Sequence, residues 1–269
     1  MEAHEDELVA ALKKGEEYRR RVDPILGFRL NPSLLSSFEF FLSILNDGVK
    51  RDALSAWSGS QRWYGMISGV NSNVKESLTI SAYHASRIST LNSAVVSALR
   101  DFPLAPNEGV GGGDMLVLTA EYQAFILSCR RCLDQLAWAI SGLFKNECSS
   151  FRELGTYLSR QKKRAEHSNA LLEVYLKHRG NFDGWLLTQG DQTSLRDLLA
   201  HRKSITVGTL NVRSSGVVFV GFDSPIPGFR GRQISEIVEE LFWNLHGCVC
   251  EFVELSGKIL DDIVARGRS

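Results

Sequence analysis

Only six prolines occur in 269 residues, which excludes a collagenous or proline-rich linker protein. A surplus of charge of one sign is also missing. Thirty-one basic and 31 acidic residues cancel, which excludes a uniformly basic nucleic-acid coat and a polyacidic tail. A local basic patch inside that neutral total stays open. No window reaches the roughly 18 uninterrupted apolar residues that a membrane span needs. Residues 1–6 are acidic and polar, unlike a signal peptide. The cysteines number five, at 129, 132, 148, 248 and 250. An odd count in a chain this long predicts reduced thiols in a cytoplasm, not a disulfide framework. No P-loop, Rossmann fingerprint, Gly-x-Ser-x-Gly elbow or His-Glu-x-x-His helix is present. What remains is 43% hydrophobic and 23% charged, the composition of an ordinary globular protein with one large domain or two small ones.

The patterning is overwhelmingly helical, and the expected fold class is mainly α, a bundle of long helices. Residues 4–22 read as a charged helix. Asn31-Pro32 supplies a cap and a first-turn proline, followed by Leu34, Leu35, Phe38, Phe41, Leu42 and Leu45 at three-and-four spacing. Residues 60–102 read as one or two long helices. The stretch 103–113 holds Pro103, Pro106, Asn107, Gly109 and glycines at 111–113, so it is expected to join a helical region at 1–103 to a second one at 113–265. The Gly-rich run has no strand before it and no Lys-Ser/Thr after it, so it reads as a linker and not a phosphate cradle. The clearest helix follows, with Leu118, Tyr122, Phe125, Ile126, Cys129, Cys132, Leu133, Leu136, Ile140 and Leu143 in one stripe. Helices are predicted around 150–179, 185–203 and 232–265. Between the last two, Ile205-Thr206-Val207 and Val217-Val218-Phe219-Val220 flank Ser214-Ser215-Gly216 and predict an inserted β-hairpin near 205–220.

The four thiols in the pairs Cys129/Cys132 and Cys248/Cys250 invite a zinc reading. Residues two apart on a helix point about 200° apart, so the second pair cannot converge as a tetrahedral site demands. Buried apolar thiols are the simpler account, and neither a metal nor a cofactor is expected. Trp138, Trp185 and Trp243 sit at helical positions and read as core or interface. His178 reads as a cation at a helix end, and His246 as a packed or partly exposed side chain.

Near the end of a predicted helix stands Leu195-Arg196-Asp197-Leu198-Leu199-Ala200-His201-Arg202. An arginine, four to six residues and a histidine resembles the motif of the HEPN superfamily's ribonucleases, with a polar residue, here Asp197, after the arginine. The spacing alone is a weak signal: with 21 arginines and 6 histidines, chance supplies about one match, and Arg160 with His167 is a second. Context selects the first, which follows long helices and precedes the final one. The segment 125–144, with Ser128-Cys129-Arg130-Arg131-Cys132-Leu133-Asp134, resembles the long helix that opens HEPN domains. The resemblance covers about 114–265.

It implies a metal-independent endoribonuclease, of a kind found among toxins and phage-defence effectors, whose site forms across a homodimer. His201 would exchange the proton and Arg196 would steady the phosphate. Five residues apart, the two lie about 140° apart on a helix. Asp197, four residues before His201, shares its face and could orient the imidazole, and Asp134 is a possible second orienter. Between 152 and 203 ten Lys/Arg face six Asp/Glu, whereas 230–269 carries five against seven. Arg202, Lys203, Arg160, Lys162, Lys163 and Arg164 are therefore the candidate RNA contacts. The N-terminal helices would regulate, dimerise or bind a protein partner. The competing reading is a non-catalytic helical module for protein interaction or nucleotide binding.

Overall fold

The computed structural model describes residues 28, 30–58, 60–102, 105–106, 109–111, 114–144, 146–161, 165–188, 193–201, 209–213, 218–221 and 232–266. Contacts divide the chain into Met1–Asn31 and Pro32–Ser269. The helix expected at 4–22 lies outside the described residues.

The second unit is mostly helical. A 3-10 turn, Pro32–Leu35, leads into α1, Ser36–Asn46. The expected Asn31-Pro32 start thus opens the tighter turn, one residue set before the α-helix. Asp47 interrupts the chain, and its carboxylate accepts the backbone N–H of Val49 (3.0 Å) and Lys50 (3.2 Å) to start α2, Gly48–Ser58. Helix α3, Ser60–Ser68, runs through a π-helical turn, Gly69–Val74, into α4, Lys75–Ala98. The Lys75 N–H reaches back to Val70 O, five residues away, which is the π pattern.

Helix α5, Leu116–Ser141, packs along α4 and the π turn. A Cβ on Gly69 would lie 2.8 Å from Trp138 Cζ3, so the missing side chain is what lets the π turn approach α5. The single helix expected near 150–179 is two: α6, Phe151–Ser159, and α7, Ala165–Arg179. A helix from 185 does not form. Gly184 takes φ 81°, which suits glycine, and Asp183 bridges Leu187 in a tight turn. Among the described residues there, only α8, Leu195–His201, is helical. Helix α9, Ile234–Arg266, crosses α1, α2, α4, α5 and α7 and carries the longest buried stripe, from Ile234 to Val264.

The β-rich stretch differs from the inserted hairpin the sequence predicts. Three strands pair antiparallel in the order β1-β2-β3: Gly109–Gly111, Thr209–Arg213 and Val218–Gly221. The Gly-rich run supplies the first, with Val110 opposite Val212, and Ile205 to Val207 lie outside the described residues. A strand needs only a partner's backbone to pair with, and no side-chain period marks one in Gly-Val-Gly. The junction expected at 103–113 therefore lies inside one compact unit, with α4 and α5 packed together across it. Among the described residues no helix is long and apolar enough to cross a membrane.

Candidate functional site

Helix α5 carries two stripes. One is apolar and buried, including Tyr122, Phe125, Cys129, Cys132 and Leu136. The other, Leu127, Arg130, Arg131, Asp134, Gln135 and Trp138, repeats at i, i+3/4, i+7/8 and i+11 and borders an open cavity of about 470 Å³. Asn73 of the π turn, Ser149 before α6 and Arg196 of α8 complete the wall.

Each wall is held by contacts that the fold dictates. Trp185 is buried and stacks on Phe125 of α5 with ring centres 6.3 Å apart, and its indole N–H donates to Asn181 O (2.7 Å). That fixes the 183–187 turn against α5. The turn in turn receives α8: Leu195 N–H donates to Gly184 O (3.1 Å) and Arg196 N–H to Trp185 O (3.0 Å). Two of the helix's first orphan donors are thereby satisfied.

Arg130 is almost wholly committed to the protein. Its Nε donates to Asp134 (2.8 Å), Nη1 to Leu186 O (3.2 Å) and Nη2 to Ser150 Oγ (3.0 Å). Asp134 also accepts the Phe151 N–H (2.9 Å), so it serves as the acceptor that starts α6. These bonds make Asp134 a tie between α5, the 183–187 turn and α6. An orienting contact to a histidine is not among its described bonds.

Arg131 is different. With the Gln135 amide oriented to satisfy both ends, Arg131 Nε donates to Gln135 (3.1 Å) and Gln135 donates to Asn73 O (2.7 Å). Among the described residues no carboxylate pairs with Arg131, and its side chain is exposed. Arg196 Nη1 donates to Asp197 (2.9 Å), while its Nε is buried with no acceptor among the described residues. The other Asp197 oxygen accepts Thr188 Oγ1 (3.0 Å). Burial opposes ionisation of Asp197, but hydrogen bonds from Arg196, Ser194 and Thr188 outweigh it and hold the carboxyl below its ordinary value.

The structure thus brings Arg196 and Asp134 to one cavity, with Asp197 paired to Arg196 behind it. His201 ends α8, and its side chain lies outside the described atoms, as do Arg202, Lys203, Lys162, Lys163 and Arg164. Arg160 is exposed at the end of α6 and lines a second groove with Tyr157 and Gln161, which shares Ser149 with the first. The second Arg–His match, Arg160 with His167, straddles the break between α6 and α7 and does not lie on one helix. Sequence reading missed Arg131, Gln135 and Trp138 as site residues. Their signal was present as the polar stripe on α5, but it borders the apolar stripe and reads as an ordinary solvated flank.

Three other histidines pair elsewhere. His178 is buried and meets Glu251 (2.7 Å), His84 meets Glu121 (2.7 Å), and His246 Nε2 lies 2.9 Å from Leu34 O. Among the described residues no three His, Cys, Asp or Glu side chains converge as a metal ion requires. Cys129, Cys132, Cys148 and Cys248 are buried and Cys250 is partly so. Comparison with protein-family models, with curated proteins and with solved structures finds no match to this chain.

Proposed function

We propose that this protein is a metal-independent endoribonuclease of the HEPN kind, acting on RNA at the end of α8. One observation carries the reading. Arg196, the arginine of the Arg-x4-His motif, opens onto a cavity beside the exposed Arg131, which no carboxylate answers among the described residues, while Asp134 pairs with Arg130 and Asp197 with Arg196. Guanidinium forks in a partly enclosed site are suited to phosphate oxygens.

In the reaction His201 takes the proton of a ribose 2′-hydroxyl. The 2′-oxygen attacks the adjacent phosphorus and the bond from phosphorus to the 5′-oxygen breaks. The proton then passes to that leaving oxygen, and the products are a 2′,3′-cyclic phosphate and a 5′-hydroxyl. Arg196 steadies the charge on the phosphate. Because residues five apart on a helix face about 140° apart, a second copy of the chain completes the site. Residues 1–103 would regulate, dimerise or bind a protein partner, and a toxin or phage-defence role follows from the resemblance.

The test is cleavage of single-stranded RNA in EDTA by wild type, His201→Ala and Arg196→Ala. Loss of a positioned acid–base group is expected to slow cleavage about 10²–10⁴-fold. Equal cleavage by all three proteins, or none by wild type across broad conditions, overturns the reading. A specific observation favours a second reading, a non-catalytic helical interaction module: both oxygens of Asp197 are already bonded to Arg196 and Thr188, an arrangement that also serves packing alone.

A further inference from the structure

The cavity on α5 has a chemistry that phosphate alone does not use. One side carries guanidiniums: Arg131, which no carboxylate answers among the described residues, and Arg196, whose Nη1 is paired with Asp197 and whose Nε lacks an acceptor there. A buried unpartnered donor of this kind calls for an explanation. The other side is apolar. Leu127 is 45% exposed, and Trp138 is partly exposed although its benzenoid ring is clamped near Gly69. A large, partly exposed indole packed against the π turn presents a fixed surface to a ligand at little cost in side-chain entropy. A volume of about 470 Å³ is in the range of small-ligand sites.

We propose that this cavity takes one nucleoside phosphate unit, with the base against Trp138 and Leu127 and the phosphate on Arg131 and Arg196. The inference rests on the reading that Arg196 meets phosphate, and it is independent of whether a bond is then cut. It assigns Trp138 and Arg131 as specificity and affinity residues and favours an unpaired nucleotide, because a base held in a duplex must first be unpaired and unstacked to reach the indole. Arg130 is excluded from ligand contact because its bonds to Asp134, Leu186 and Ser150 occupy it.

The test uses the full chain carrying His201→Ala, so that cleavage does not consume the probe. Fluorescence anisotropy reads binding of a labelled single-stranded oligoribonucleotide, with competition by uridine and adenosine 5′-monophosphates, inorganic phosphate and duplex RNA. Trp138→Leu is expected to weaken oligonucleotide binding about tenfold or more, and Trp138→Phe to restore most of it. Circular dichroism of both variants reports whether the helices persist. Arg131→Gln and Arg196→Gln are each expected to lower the salt slope by about one ion. Mononucleotides that compete better than inorganic phosphate support the base contact. If they compete as well as the oligonucleotide on a molar basis, the free nucleotide is the ligand; if far worse, the strand is.

Folded Trp138→Leu that binds as tightly as the parent overturns the proposal. So does phosphate that competes as well as a mononucleotide, or duplex bound as tightly as single strand. Binding that depends on Arg196 but not on Trp138 overturns this inference and leaves the ribonuclease reading standing. Binding that depends on Trp138, with no cleavage by the wild-type chain, does the reverse.

Discussion

Removing Asp134 tests whether it ties three elements together or serves a histidine. In Asp134→Ala the Arg130 guanidinium loses its charge-assisted partner at 2.8 Å, and the Phe151 N–H loses its acceptor at 2.9 Å. A hydrogen bond to a charged group contributes about 1.5–3 kcal/mol. An acceptor at a helix start contributes about 1 kcal/mol. Arg130 is only 13% exposed and Asp134 28%, so solvent screens the pair in part. Arg130 also keeps Leu186 O and Ser150 Oγ, which limits the cost of its lost partner. The expected loss is about 2–4 kcal/mol, a shift of about 6–12 °C in Tm at the few degrees per kcal/mol usual for a chain of this size. Asp134→Asn can still accept the Phe151 N–H through its amide oxygen, so it should lose roughly half as much. Urea unfolding followed by circular dichroism measures both. An Asp134→Ala protein within about 0.5 kcal/mol of wild type refutes the tie. A variant of unchanged stability whose RNA cleavage nonetheless falls returns Asp134 to the orienting role that its sequence position suggests.

Glycine substitutions should split by what a Cβ would meet. Gly65→Ala in α3 meets nothing within 4 Å and is expected to raise stability by up to about 1 kcal/mol. Gly155→Ala in α6 would drive its Cβ into the Tyr175 ring at Cε1, a buried ring whose hydroxyl is tied to Arg152 O, and should cost about 1–3 kcal/mol; equal melting temperatures for the two variants would contradict this. Burial opposes ionisation of Glu251, but bonds from Lys177 and His178 hold its carboxyl below the ordinary value. A depressed carboxyl contributes stability above its unfolded pKa of about 4.3 and loses it as pH falls through the folded value. The stability gap between wild type and Glu251→Gln should therefore be present at pH 7 and close in acid, and a gap that stays constant down to pH 3 would refute the pairing. Burial pushes the Cys129 thiol up to about 12 and raises Cys132 and Cys248 as well, so native labelling with a thiol reagent should start at the partly exposed Cys250; rapid labelling of Cys129 would show that the core opens.

Much of the helical architecture is local and was legible in the chain itself. The stripes from Leu118 to Ile140 and from Ile234 to Ile263 repeat at the helical period over many turns, and a long amphipathic repeat has few alternatives to a helix packed along one face. The Arg196 motif is equally a sequence feature, since α8 needs only a short helical segment to set its spacing. Other features are not local. At the π turn Gly69–Val74, Gly69 lies close against Trp138, a residue 69 positions away. The strand at Gly109–Gly111 exists because Thr209–Arg213 offers it a backbone to pair with. The break at Gly184 replaces a predicted helix because Trp185 stacks on Phe125 and fixes a turn there. Asp134 pairs with Arg130 at helical spacing, but only packing brings Phe151 to its second oxygen and so commits it to structure. By itself the sequence determined the long helices α5 and α9 and where an Arg-x4-His pair falls, because periodicity and spacing are properties of neighbours along the chain. Only the tertiary structure decided that Arg131, Trp138 and Arg196 share one cavity, because that depends on how α5 meets α8 and the π turn in space.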